Sequence, residues 1–131
     1  MFIDASALTA MLADEEDGVA LMERMQATRE RVSSPIAVWE STLALARLTG
    51  KSLDEARRGL ERFLDIGGVE VRAVPPEAAS LAIEANDRFG KGRHKARLNM
   101  GDCFAYACAR HFGLQMLYKG DDFALTDIEA A

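Results

Sequence analysis

The chain has 131 residues, a net charge of -5, and 49% hydrophobic against 28% charged residues. That length suits one domain around one core, and the composition is that of an ordinary globular protein. No apolar run approaches the ~20 residues of a membrane span. The opening Met-Phe-Ile-Asp has no basic segment or cleavage site, so no signal peptide is expected. Cys103 and Cys108 match neither a CxxC nor a zinc pattern, and the expected compartment is a reduced, cytoplasmic one.

In chain order, Met1 to Ile3 is a short apolar run ending at Asp4, which predicts a strand, and Ala5 to Leu12 predicts a helix. Asp14 to Asp17 cluster at the expected start of a second helix carrying Val19, Leu21, Met22 and Met25. Arg31 to Ser33 reads as a second strand. Ser34-Pro35 is a strong helix start, with Ser as N-cap and Pro in the first turn, and the helix should end near Gly50. Ser52 and Glu55 form a capping box at the head of the next helix. Val69 to Val74 alternates like a strand, and Pro75-Pro76 opens a helix reaching about Phe89. A helix from Met100 to Phe112 closes at Gly113, Leu114 to Tyr118 is a strand, 119–122 is a turn, and Ile128 marks a last edge strand. Alternating strands and helices favour an α/β fold with a parallel sheet covered on both faces, whose ligands bind beyond the carboxyl ends of the strands.

The acidic balance argues at first against a polyanionic partner, but charge placement qualifies this. Arg88, Lys91, Arg93, Lys95 and Arg97 face only Asp87, and Gly90 and Gly92 mark the segment as a mobile loop. Arg93, Lys95 and Arg97 are candidates for phosphate contacts; a plain solvated loop is the alternative.

Four carboxylates far apart in sequence carry most of the chemical signal: Asp4, Glu40, Asp102 and Asp122. Asp4 falls between a strand and a helix, where N-capping is its structural alternative, and Ser6 offers a supporting hydroxyl. Glu40 lies within about 60° of Ile36, Ala37, Leu43 and Ala44 on a helical wheel. It has no basic residue three or four positions away, so it needs another partner or a proton. Asp102 sits in the first turn after Asn99, a candidate N-cap, where helix-dipole stabilisation competes as an explanation. Asp121 and Asp122 are adjacent and point apart. Asp122 is favoured because Phe123 would anchor it, with Asp121 in a supporting position.

If the fold gathers the four at ~5 Å, six like-charge pairs at about 3 kcal/mol each outweigh a typical domain stability of about 5–15 kcal/mol. Such a cluster persists only with protons or cations bound. Its all-oxygen character points to magnesium, or manganese, rather than zinc.

Met-Phe-Ile-Asp-Ala-Ser at 1–6, Val-Trp-Glu at 38–40, Asn-Met-Gly-Asp-Cys-Phe-Ala-Tyr-Ala at 99–107, Leu-Tyr-Lys-Gly-Asp-Asp-Phe at 117–123 and the trailing Thr126-Asp127-Ile128 resemble the PIN-domain ribonucleases. Within that superfamily they most resemble the VapC toxins of bacterial toxin–antitoxin pairs. The resemblance spans essentially the whole chain. It implies a three-layer α/β/α fold with a central, mostly parallel sheet, and a magnesium-dependent endoribonuclease that forms a homodimer. It also implies a VapB-type antitoxin whose tail occupies the active-site groove. By motif position, Asp4, Glu40 and Asp102 match the family's first three acids and Asp122 the fourth.

The principal alternative is a catalytically silent PIN-like module that binds RNA or protein. Metal-free cleavage by His94 and His111 is a weaker rival, since His111 sits at a helix end suited to a dipole partner. A phosphate-receiving signalling domain is disfavoured because Pro75-Pro76, and no Asp, follows the middle strand.

Overall fold

A computed structural model describes residues 1–131. Four two-residue strands, β1 (Phe2–Ile3), β2 (Val32–Ser33), β3 (Glu70–Val71) and β4 (Met116–Leu117), form a sheet in the order β3-β2-β1-β4. Every pairing is parallel, with Phe2 opposite both Val32 and Met116. Six helices connect them: α1 (Ala5–Leu12), α2 (Gly18–Ala27), α3 (Pro35–Thr49), α4 (Leu53–Ile66), α5 (Ala78–Phe89) and α6 (Met100–Phe112). This is the α/β/α architecture expected.

Side-chain alternation along a strand divides the core into two layers. Phe2, Val32 and Met116 point into a cluster with α5 and α6. Ile3 and Leu117 point the opposite way, into a cluster with α1, α2, α3 and α4. Met25 is buried in the second cluster and Met11, Leu12 and Met22 pack against it, so the methionines of the first two helices serve the core. No helix is long and apolar enough to cross a membrane. Cys103 and Cys108 are both free and buried.

Several boundaries depart from expectation for local reasons. The 69–74 strand shrinks to Glu70–Val71, both exposed, at a sheet edge bonded on one side only. Pro75 to Glu77 form a turn, and α5 begins only at Ala78. The Asp14–Asp17 cluster precedes α2 but provides no side-chain cap; Glu15 instead pairs with Lys119. The expected last edge strand is a single parallel bridge between Met116 and Ala130, with Ile128 buried in the core just before it. The 88–97 segment is a closed loop rather than a loose one. Leu98 N–H donates to the Phe89 carbonyl and Lys91 N–H to the Leu98 carbonyl, both at 3.0 Å. His94 Nδ1 accepts from Ala96 N–H, and its ring meets Phe89 edge-on.

Arg31 ties the second layer together without any acidic partner. Its guanidinium donates to the carbonyls of Met25, Gln26 and Thr28 at the end of α2, and to Gly67 beyond α4 at 2.6 Å. Carbonyls at helix ends lack intrahelical donors, and a cation there satisfies both hydrogen bonding and the dipole. Arg31→Ala is expected to destabilise the protein by about 3 kcal/mol in denaturant unfolding, with an unchanged m-value. A loss below ~0.5 kcal/mol, the range of ordinary surface substitutions, would show that water replaces these bonds without penalty.

Candidate active site

The parallel sheet puts the carboxyl ends of all four strands on one edge. Helices that follow strands (α1, α3) start at that edge, and α6, which runs back to feed β4, also has its N-terminus there. From β1 the chain proceeds outward through β2 to β3 and then crosses back to place β4 on the other side of β1, which makes the β1/β4 end a topological switch point. The four candidate acids all come from this edge.

Asp4 follows β1 directly and caps α1, and it is only 3% exposed. Its Oδ2 accepts from Ser6 N–H at 2.9 Å and Ser6 O–H at 2.5 Å. Ser6 Oγ in turn accepts from Lys119 N–H at 3.0 Å, so the expected supporting role of Ser6 takes the form of a tie between Asp4 and the loop after β4. Burial raises the Asp4 carboxyl above the usual range, against the Ser6 hydrogen bonds that lower it. Buried Ser33 and Ser41 donate to the carbonyls of Ile3 and Ala5, fixing β2 and α3 around the same turn.

Glu40 lies in the second turn of α3, half-buried. Burial is the main cause that pushes its pKa up to about 7, followed by the charges of Asp4 and then Asp102. Asp102 stands at the third position of α6 in a reciprocal capping box with Asn99, where Oδ2 accepts from Asn99 N–H at 2.8 Å. Burial raises it to about 6, the Asn99 bond opposes this, and Asp4 and Asp122 raise it further. The charge of Asp4 thus raises both Glu40 and Asp102, and that of Asp102 raises Glu40, while no lysine or arginine appears among the causes for any of the three. The structure gathers charge here but not a closed ligand cage: no three His, Cys, Asp or Glu side chains stand at metal-holding spacing.

Asp122 is exposed at the start of the 3-10 turn Phe123–Leu125 and makes no side-chain cap. Phe123 is buried and packs on Tyr118 at 5.2 Å between ring centres, so it does anchor the loop. Asp122 still reaches the site through its charge on Asp102. Asp121 is also exposed and, unlike Asp122, is not among the charges that raise Asp4, Glu40 or Asp102. The basic loop rises from the same edge, since its neck joins the end of α5 to the Asn99 cap of α6. Lys91, Arg93, His94, Lys95 and Arg97 line an open hollow of about 850 Å³. Arg93 pairs with Asp87 at 2.9 Å, while Lys95 and Arg97 have no ion-pair partner. Arg97 sits at φ +53°, a left-handed conformation rarely adopted by L-residues.

Gly101, not among the candidate residues, also borders the site. A Cβ there would collide with the Glu40 carboxyl group. The available signal was a glycine inside the first turn of a helix, where it weakens the helix unless close packing requires it.

The PIN domain family model matches residues 1–129. The chain is 39% identical over 128 residues to ribonuclease VapC30 of Mycobacterium tuberculosis, covering 98% of this chain and 95% of that protein. It is 38% identical over 130 residues to a ribonuclease VapC of Mycolicibacterium smegmatis, covering 99% of this chain and 98% of that one. The crystal structure of M. tuberculosis VapC20, described as a sarcin-ricin loop cleaving toxin, shares the fold with a TM-score of 0.74 at 19% identity, covering 99% and 97% of the two chains. The chain belongs to the PIN-domain family and, within it, to the VapC ribonucleases.

The raised acids set a pH dependence for the metal-free protein. A carboxyl whose folded pKa exceeds its unfolded value holds its proton better when folded, so stability falls as pH rises between the two values. For Glu40 that window runs from 4.5 to about 7. Glu40→Gln is therefore expected to stabilise the metal-free protein at pH 8 by roughly 1–2 kcal/mol, after discounting for partial exposure, with a smaller gain at pH 5. An equal effect at both pH values in thermal melts would show that Glu40 does not carry this strain.

Proposed function

We propose that the chain is a divalent-cation-dependent endoribonuclease, the toxin of a type II toxin–antitoxin pair, that hydrolyses RNA phosphodiester bonds. The observation that carries this is the gathering of Asp4, Glu40 and Asp102 on one sheet edge, where buried Asp4 raises the other two and no basic residue balances them. The set is all oxygen, which suits magnesium or manganese. Asp4 and Asp102 would be the principal ligands, with Glu40 and Asp122 completing the set directly or through water. When bound, the cation supplies Lewis acidity toward a phosphoryl oxygen and toward water.

The chain's own residues do the rest. Asp4 is held by its two Ser6 bonds and by burial at the head of α1. Asp102 is held through the Asn99 box. Glu40, with a pKa of about 7, accepts a proton readily near neutral pH and orients the attacking water. Arg93, Lys95 and Arg97 contact phosphates flanking the scissile bond, and the two unpaired cations, Lys95 and Arg97, do so with no internal pair to break. Family membership supports a VapB-type antitoxin that covers the site, and a homodimer.

Cleavage of RNA is expected with magnesium and not with EDTA, and Asp4→Ala or Asp102→Ala should each lower the rate at least ~100-fold in proteins that still fold. Undiminished cleavage by either variant removes that residue from the metal role. Calorimetry that detects no magnesium binding to the wild type would instead favour the silent binding module. Replacing Arg93, Lys95 and Arg97 together by Ala should weaken RNA binding and flatten the slope of log affinity against log salt by about 2, given ~0.7 per single-strand phosphate contact. An unchanged slope would place the phosphate grip elsewhere.

A further inference from the structure

We propose that Gly101 is a positioning residue whose bare Cα seats the Glu40 carboxyl group against the first turn of α6, beside Asp102. This deepens the nuclease reading of the same site and rests on it. A Cβ on Gly101 would stand 1.9 Å from Glu40 Oε1 and 2.4 Å from both Cδ and Oε2. The carboxyl group therefore fills the volume that any side chain at 101 would need. Nothing else about the position calls for glycine. Its φ is not positive, and glycine is a poorer helix former than alanine. Gly59, in the middle of α4, is a useful contrast, since a Cβ there meets nothing within 4 Å.

The clashing group is the far end of a flexible side chain. A larger residue at 101 thus leaves a folded protein in which Glu40 has swung away from Asp4 and Asp102. The seat also places the carboxylate at a helix N-terminus, where the dipole favours negative charge. The close approach to Gly101 is the contact that seats the Glu40 carboxyl group.

The test is a double-mutant cycle of Gly101→Ala and Glu40→Ala, with Gly59→Ala as a helix-propensity control. Two readouts are needed: thermal unfolding without metal, and magnesium-dependent cleavage of RNA. In cleavage, Gly101→Ala is expected to lose about a hundredfold, the usual penalty for a catalytic group misplaced by about 1 Å. Adding Gly101→Ala to Glu40→Ala should cost nothing further. In unfolding, Gly101→Ala should raise the melting temperature in the Glu40→Ala background about as much as Gly59→Ala raises that of the wild type. In the Glu40 background it should raise it less or lower it. Equal melting shifts in both backgrounds overturn the seat, whatever the cleavage assay shows. Coupled melting shifts with RNA cleaved by none of the proteins, wild type included, leave the contact standing but overturn its catalytic role together with the nuclease reading.

Discussion

Four negatively charged side chains converge on one edge of a parallel sheet with no basic residue to neutralise the three most buried. The convergence follows from topology. A sheet ordered 3-2-1-4 opens a crevice between β1 and β4, where the strand order reverses, and it is bordered by strand ends and the N-termini of α1, α3 and α6. Helix N-termini carry partial positive charge, so the edge favours acids before any ligand arrives. That bias is too small to cancel several formal charges. Burial raises the Asp4, Glu40 and Asp102 carboxyls, and neighbouring acids add to this for Glu40 and Asp102, so without a cation the fold holds on to protons.

The site is graded in rigidity. Asp4 is buried and tied through Ser6 to the loop after β4, while Ser33 and Ser41 brace the backbone behind it. Asp102 is locked by reciprocal capping bonds with Asn99, and Glu40 rests on a glycine. Asp122 is exposed, held only by the burial of its neighbour Phe123. A site built this way has two fixed members, one adjustable member and one on a loop. This would suit the proposed nuclease centre, in which a fixed cation meets a polymer passing across it.

Much of this was legible in the chain because capping chemistry is local. Ser34-Pro35, the Ser52/Glu55 box, Asn99/Asp102 and the terminal Gly50 and Gly113 are all used as their residue types dictate. Strand extents were not legible. The apolar alternation at 69–74 reports where a strand is permitted, whereas hydrogen-bonded neighbours decide how much of it forms, and β3 has a neighbour on one side only. The four acids could be named individually because each sits at an element end or on an apolar face. Their mutual perturbation could not be read, since it depends on separations fixed by packing. Gly101 was hidden for the same reason: its role is defined by Glu40, 61 residues earlier. Arg31 was likewise silent, because its partners are backbone carbonyls and carbonyls have no residue signature.

The structural and functional explanations of these acids turn out not to compete. Asp4 does cap α1 and Asp102 does close a capping box, the ordinary roles each position suggests. A cap, however, uses a carboxylate oxygen as acceptor and fixes its direction. In Asp102 the Asn99 bond occupies Oδ2 and leaves Oδ1 outside the box. The helix thereby orients the oxygen it does not use, as a supporting hydrogen bond orients a metal ligand. Glu40 has no such cap, and the close packing against Gly101 supplies the orientation instead. A carboxylate that only capped a helix would be indifferent to neighbouring charges, and would sit where water screens them. These sit together and half-withdrawn from solvent. Capping explains how each side chain is held, and the proposed shared cation would supply a reason for holding them side by side.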